Sequence, residues 1–260
     1  MTLPTRRAFV TGGTRGIGRA ISERLEAEGW MVRRFSRSTG GDVLQLAAMR
    51  SAIEAFARED ATQPGLDLFV AAASASDAGY LHMLPDTVLT RTVDTDFGGA
   101  VSGVQAALPW LMKRDGSTVV LVSSMAAFHG VPGFAVYSAV KAAIRVFGDA
   151  MRLELPHQKP AILTLILGRL ENEDGSETVT WTERGPTRRM PMKRFRIFAS
   201  ASEPTPLDVV VETILRRLGY SEEIFLPASL KGMDWMARHT PRLFRLLMKL
   251  YHRRQQVSAL

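Results

Sequence analysis

The chain has 260 residues, 33 basic against 26 acidic side chains, and no cysteine. That length suits one α/β domain with a full core, and a composition of 46% hydrophobic and 23% charged residues excludes a disordered, collagenous or coiled-coil protein. The formal net charge of +7 is unevenly placed: residues 184–254 hold 15 Lys/Arg and 6 Asp/Glu, whereas residues 1–183 hold 18 and 20. The basic surplus therefore belongs to the C-terminal third. Without cysteine, disulfides, zinc–thiolate sites and cysteine nucleophiles are ruled out, and no metal site is expected. The opening MTLPTRRAFVTGG has no apolar signal core, and no run approaches the ~18 apolar residues of a membrane span, so a soluble, cytoplasmic chain is expected.

In chain order, Arg7 to Thr11 reads as a strand and Gly16 to Glu28 as a helix with Ile17, Ala20, Ile21 and Leu25 on one face. Trp30 to Phe35 is a second strand, Val43 to Arg58 a helix, and Leu68 to Ala72 a third strong strand. A long helical region spans Asp86 to Met112, followed by a strand at Ser117 to Val122, a helix at Tyr137 to Leu155 and a strand at Ala161 to Leu167. These strands are apolar on both faces, as a parallel sheet between helix layers requires. Alternating β and α segments predict a doubly wound sheet, with ligands at the carboxyl ends of its strands. From Leu170 to Pro206 turn formers and clustered charge predict a long loop or lid. A helix (Leu207 to Leu218), a short strand (Glu223 to Leu226) and a tail from Ser229 to Leu260 complete the chain.

The first strand-to-helix turn is Thr11-Gly12-Gly13-Thr14-Arg15-Gly16-Ile17-Gly18. Its glycines at 12, 16 and 18 let a pyrophosphate approach the backbone at a helix N-terminus. The second strand ends in Arg33-Arg34-Phe35-Ser36-Arg37, without the carboxylate that usually binds unphosphorylated ribose hydroxyls. Arg15 and Arg37 together suit a 2′-phosphate, since guanidinium groups match phosphate geometry, so NADP(H) is expected over NAD(H). Tyr137 and Lys141 lie one helical turn apart on one face, and a lysine beside a phenol favours the phenolate and suits it to proton transfer. Ser124 closes the preceding strand 13 residues before Tyr137, where its hydroxyl and the phenol can meet one carbonyl oxygen.

These residues, the TGxxxGxG turn of Thr11 to Gly18, the YxxxK pair Tyr137 and Lys141, Ser124, and Asp42-Val43, closely resemble the classical short-chain dehydrogenase/reductase family over residues 6 to 226. The resemblance implies a Rossmann-type sheet of about seven strands in the order 3-2-1-4-5-6-7, the third short. It implies NADP(H)-linked reduction of a ketone or aldehyde, or the reverse. Tyr137 would be the acid–base, Ser124 the carbonyl-orienting donor, and Lys141 the holder of the nicotinamide ribose. Cofactor contacts would come from Gly12, Thr14, Arg15, Gly16, Ile17, Gly18, Arg37, Asp42, Val43, Ala72, Ala73, Tyr137, Lys141, Gly168 and Leu170. A homodimer or homotetramer is implied. The domain would span residues 1–228, with 170–206 as a substrate lid, and 229–260 would be a basic helical extension of it.

Three departures stand out. Where the family has Asn-Asn-Ala-Gly, this chain has Ala71-Ala72-Ala73-Ser74, from which changed packing is expected. Asp96 takes the position of a catalytic asparagine; it can hold the water linked to the lysine, or weaken the lysine's effect on Tyr137. Only four residues separate Arg37 from Asp42, too few for the usual intervening helix. The departures motivate an alternative: a non-catalytic NADP(H)-binding regulatory or scaffold protein.

His129 either touches substrate or is solvated. Met190, Met192, Phe195, Ile197 and Phe198 either line an apolar substrate pocket or are buried merely for the lid to fold. On a helical projection of the tail, Arg242, Arg245, Lys249, His252 and Arg253 share a sector of about 100°, with Leu243, Phe244, Leu247, Leu250 and Tyr251 elsewhere. Docking of the apolar face on the body or a partner subunit ranks first. Peripheral contact of 241–254 with an anionic membrane, or capture of an acidic partner such as a carrier-bound or phosphorylated substrate, comes next. Nucleic acid ranks last, since no recognised binding motif accompanies the charge.

Overall fold

The structure, a computed structural model, describes residues 5–75, 79–155, 159–171 and 204–257, with side chains as far as Leu250. The lid residues from Met190 to Phe198, and the side chains of Tyr251, His252 and Arg253, lie outside the described set.

The elements run β1 (Arg7–Thr11), α1 (Gly16–Ala27), β2 (Met31–Phe35), a 3-10 turn (Arg37–Thr39), α2 (Leu46–Arg58), β3 (Leu68–Ala71), α3 (Asp86–Thr92), a π turn (Val93–Gly98) and α4 (Gly99–Leu111). After them come β4 (Thr118–Ser124), α5 (Ala135–Glu154), β5 (Ala161–Leu167), α6 (Leu207–Arg216), β6 (Glu222–Leu226), α7 (Leu230–His239) and α8 (Pro241–Val257). The strands form one parallel sheet in the order β2-β1-β3-β4-β5-β6. Six strands replace the seven expected among the described residues. The four residues between Arg37 and Asp42 hold only the short 3-10 turn, so the helix and short strand beyond β2 have no chain to form them, and β2 becomes the edge.

Successive residues of each inner strand enter opposite cores. Phe9, Phe69, Val119, Leu121 and Ile162 face α2, α4 and α5, while Ala8, Val10, Leu68, Val70, Val120 and Leu163 face α1 and α6. Phe9 stacks on Phe69 at 6.1 Å between ring centroids and tilts against Phe35 at 5.6 Å. Edge strand β2 instead alternates exposed and half-buried residues before Phe35, as a strand covered on one side should. Thr11 pairs with Phe35 and Ala71, and Ser124 with Leu167. The loops leaving β1, β3, β4 and β5 therefore gather at one end of the sheet.

The tail packs against the body. Phe244 of α8 is 2% exposed and joins Ile166, Phe225, Leu230 and Met233, with Leu247 and Met248 half-buried beside it. Leu243 and Leu250, expected on the docking side, are exposed. The tail is also fastened by charge. Arg145 of α5, 6% exposed, bonds Glu223 at 2.6 and 2.7 Å and Asp234 at 2.6 and 3.0 Å, and its guanidinium lies over Phe128 and Phe225. Burial acts to raise the Asp234 carboxyl, but hydrogen bonds and charge from Arg145, then Arg238, outweigh it and hold that carboxyl below the usual carboxylate range. Arg145→Met leaves Glu223 without a cation and Asp234 with only the exposed Arg238, and is expected to cost about 3–5 kcal/mol, a fall in melting temperature of about 10 °C at neutral pH. Because the folded-state Asp234 value is depressed, this stabilisation is present above the unfolded carboxylate value and lost as pH falls through the folded one; the gap between the two proteins' melting temperatures should close below about pH 4.

Candidate active site

The end of β1 is shaped for close backbone approach. Gly12 has φ +68°, and a Cβ there would lie 2.8 Å from the Ala72 carbonyl and from the Ala73 backbone, so position 12 requires glycine. The Thr11 hydroxyl, 2% exposed, donates to the Val70 carbonyl and accepts from the amides of Ala72 and Ala73. The alanines that depart from the family pattern thus still line the glycine turn. Gly16 has φ +53° with open space where its Cβ would point, and α1 begins behind Arg15, whose own side chain does not cap it. Ile17 packs beneath on the core facing α1. An N-terminus of this kind suits an anion.

At the end of β2 the arginines divide into two kinds. Arg33 pairs with Glu59 at 2.7 Å and Arg34 with Glu26 at 2.6 Å. Exposed Arg37 makes no hydrogen bond or ion pair with the described residues, and Arg15 reaches only the Ser74 carbonyl, at 3.4 Å. Thr14 donates to Ser36 at 2.9 Å and accepts from Ser38 at 3.0 Å. This hydroxyl cluster was not anticipated; Ser36 and Ser38 flanking Arg37 were its visible trace. Asp42 accepts from the Leu44 amide at 3.0 Å, and Val43 is buried against Gly99. Together a helix N-terminus, a close-approach turn, hydroxyls and an exposed guanidinium fit a nicotinamide dinucleotide.

The second cluster centres on Asp96, 1% exposed, in the π turn. There the Gly99 amide donates to the Asp94 carbonyl, one residue further than in an α-helix, and the wider turn re-aims the side chain. Asp96 accepts from Ser74 Oγ at 2.6 Å, from the Ala75 amide at 2.6 Å, and pairs with Lys141 Nζ at 3.2 Å. Lys141, 4% exposed, also donates to the Val122 carbonyl at 3.2 Å, and its ammonium lies 5.3 Å from the Tyr137 ring centroid. Ser123 donates to the Lys141 carbonyl at 2.8 Å, fixing α5 against β4. Ser124 Oγ accepts from the Ala126 amide at 3.2 Å.

Asp96, Lys141 and Tyr137 are therefore brought together, with Ser124 at the end of the strand whose carbonyl at Val122 holds the lysine. Gly168 donates to the Leu226 carbonyl at 2.7 Å, and Leu170 bridges to Thr205. Ser74 was not singled out as a site residue, yet it joins the β3 exit to the π turn. The paired departures at positions 74 and 96, a hydroxyl donor and a carboxylate acceptor, were its signal. His129 is not solvated: both ring nitrogens are buried without a partner.

Asp96→Ala strands a buried ammonium, a hydroxyl and an amide, and is expected to destabilise the protein by about 3–5 kcal/mol. Asp96→Asn keeps the shape and the Ser74 bond and should lose less than half as much, read by thermal unfolding of both variants.

A short chain dehydrogenase family model matches residues 39–174. The chain is 31% identical over 173 residues to an uncharacterised oxidoreductase of Myxococcus xanthus, covering 58% of this chain and 66% of that protein. It is 26% identical over 157 residues to a 3-ketodihydrosphingosine reductase of Bacteroides thetaiotaomicron, covering 56% and 57%. These matches span less than two thirds of the relatives' own length. In fold, it superposes on a short-chain dehydrogenase from Streptomyces avermitilis with TM-score 0.75 at 20% identity, over 96% of this chain and 99% of that one. A small-chain dehydrogenase in complex with NADPH matches with TM-score 0.68 at 20% identity, over 88% and 100%. The chain belongs to the short-chain dehydrogenase/reductase family of oxidoreductases.

Proposed function

We propose that this protein reduces a ketone or aldehyde carbonyl to an alcohol with NADPH, or catalyses the reverse, using Tyr137 as the acid–base. The observation that supports this reading most is the buried Lys141 ammonium, held by Asp96 beside the Tyr137 ring. Bound NADP(H) supplies or accepts the hydride at the carbonyl carbon. The Tyr137 hydroxyl gives its proton to the carbonyl oxygen, and the positive charge of Lys141 favours the phenolate left behind. Ser124 Oγ already accepts from Ala126, so its own proton is the one to donate to the same carbonyl oxygen. An ammonium has three N–H donors; Lys141 directs two at Asp96 and Val122, and the third suits a ribose hydroxyl.

The cofactor's pyrophosphate would lie on Gly12 to Gly18 at the start of α1, with Thr14 and Arg15 beside it. Arg37, with the Ser36 and Ser38 hydroxyls, would take a 2′-phosphate, and Asp42 and Val43 the adenine. Ala72 and Ala73 would flank the adenosine side, and Gly168 and Leu170 the nicotinamide. The same Asp96–Lys141 pair favours the second reading, a non-catalytic NADP(H)-binding protein, in so far as the carboxylate draws the lysine's charge away from Tyr137.

NADPH consumption with a panel of ketones and aldehydes separates the two. Turnover that falls by about 10²–10⁴-fold in Tyr137→Phe is expected of the enzyme. Tight cofactor binding without turnover, or turnover indifferent to that change, identifies the binding protein. Arg37→Ala is expected to weaken NADPH binding about 10–100-fold and NADH binding little; equal losses, measured by fluorescence titration, would refute the phosphate contact.

A further inference from the structure

A cavity of about 600 Å³ lies between the segment 128–132 and the tail helices α7 and α8, a size usual for small-molecule sites. Phe128, Pro132, Ala237, Phe244 and Met248 give it apolar walls. One wall belongs to the segment that joins Ser124 to Tyr137 and is tied to the start of α5 by the Val131 amide, which donates to Ser138 Oγ at 3.3 Å. The opposite wall is α8, outside the stretch matched by the family.

Arg245 and Lys249 stand one turn apart on α8 and line the same cavity. Both are exposed. Arg245 donates only to the Pro241 carbonyl of its own helix, at 3.2 Å, and Lys249 has no partner among the described residues. Among the described residues, no acidic one lines the cavity. The carboxylate nearest in sequence on α7, Asp234, is committed to Arg145 and Arg238. His129 stacks on Phe244 at 5.5 Å, its ring nitrogens buried and unpartnered in this wall. Burial pushes His129 below the usual histidine range.

We propose that this cavity is the distal end of the substrate site and takes an apolar chain ending in a carboxylate or phosphate, held by Arg245 and Lys249. The proposal rests on the carbonyl-reductase reading and names its substrate class: an amphipathic anion with its carbonyl toward Tyr137. Apolar walls account for the chain, and two adjacent cations without a protein carboxylate account for the head group.

Calorimetric titration with dodecanoate, dodecyl phosphate, dodecanol and inorganic phosphate, all below their aggregation concentrations, tests it without any need for turnover. Failure here is thus distinct from failure of the Tyr137→Phe experiment. Both anionic amphiphiles are expected to bind about tenfold more tightly than dodecanol, since the paired cations are exposed and each contributes modestly. Arg245→Gln with Lys249→Gln should abolish that preference and leave dodecanol binding unchanged, and Met248→Trp should weaken all three. Inorganic phosphate alone should not bind measurably. Equal affinity for the charged and uncharged chains, a preference that survives in the double variant, or no binding of any chain would overturn the proposal. So would co-sedimentation with phosphatidylglycerol vesicles that persists in Met248→Trp while monomeric amphiphiles fail to bind, which would assign the cations to a membrane surface.

Discussion

The carboxyl end of the sheet depends on one buried ion pair, Asp96 with Lys141. A buried ammonium needs a paired charge, and the groups that hold this pair come from three parts of the fold. The π turn between α3 and α4 aims the carboxylate. The exit of β3 supplies Ser74 and Ala75 to it, and β4 supplies the Val122 carbonyl to the lysine. Ser123 pins the backbone of α5 at Lys141 itself. The pair therefore registers three loops at the carboxyl end of the sheet, and through Arg15, which touches the Ser74 carbonyl, it reaches the glycine turn of β1. An asparagine at position 96 would offer Lys141 a dipole; the aspartate offers a charge, and Ser74 completes its shell.

What could be read from the sequence was what local spacing determines. Two-faced apolar strands led to a parallel sheet, glycines before a helix led to the phosphate turn, and a four-residue gap after Arg37 foretold the missing helix but not the loss of the short strand beside it. Tyr137 and Lys141 were legible because i and i+4 share a helix face. Bonds across the fold were not. Ser74 and Asp96 are 22 residues apart in sequence, and Arg145 meets its carboxylates 78 and 89 residues away; no periodicity encodes such distances. The tail shows the same limit, because a helical projection separates apolar from basic faces without saying how far the helix is rolled against its support. Phe244 is buried as expected, yet Leu243 and Leu250 remain exposed.

Charge was legible in amount and location but not in use. The end of β2 holds three arginines, of which the sequence singled out Arg37, and the fold consumes the other two in pairs with Glu59 and Glu26. The exposed Arg37 that remains is set among hydroxyls. In the tail, Arg238 supports the network around Asp234, while Arg245 and Lys249 face a cavity.

The account turns on Asp96 restraining, without abolishing, the action of Lys141 on Tyr137. The most direct measurement is the pH–rate profile for NADP-linked alcohol oxidation in the native protein and in Asp96→Asn. Removing the carboxylate leaves the lysine's charge less compensated, so the phenolate forms more readily; the rising limb of the profile should move to lower pH while the Tyr137→Phe protein stays inactive throughout. Superimposable profiles for native and Asp96→Asn proteins would contradict the account.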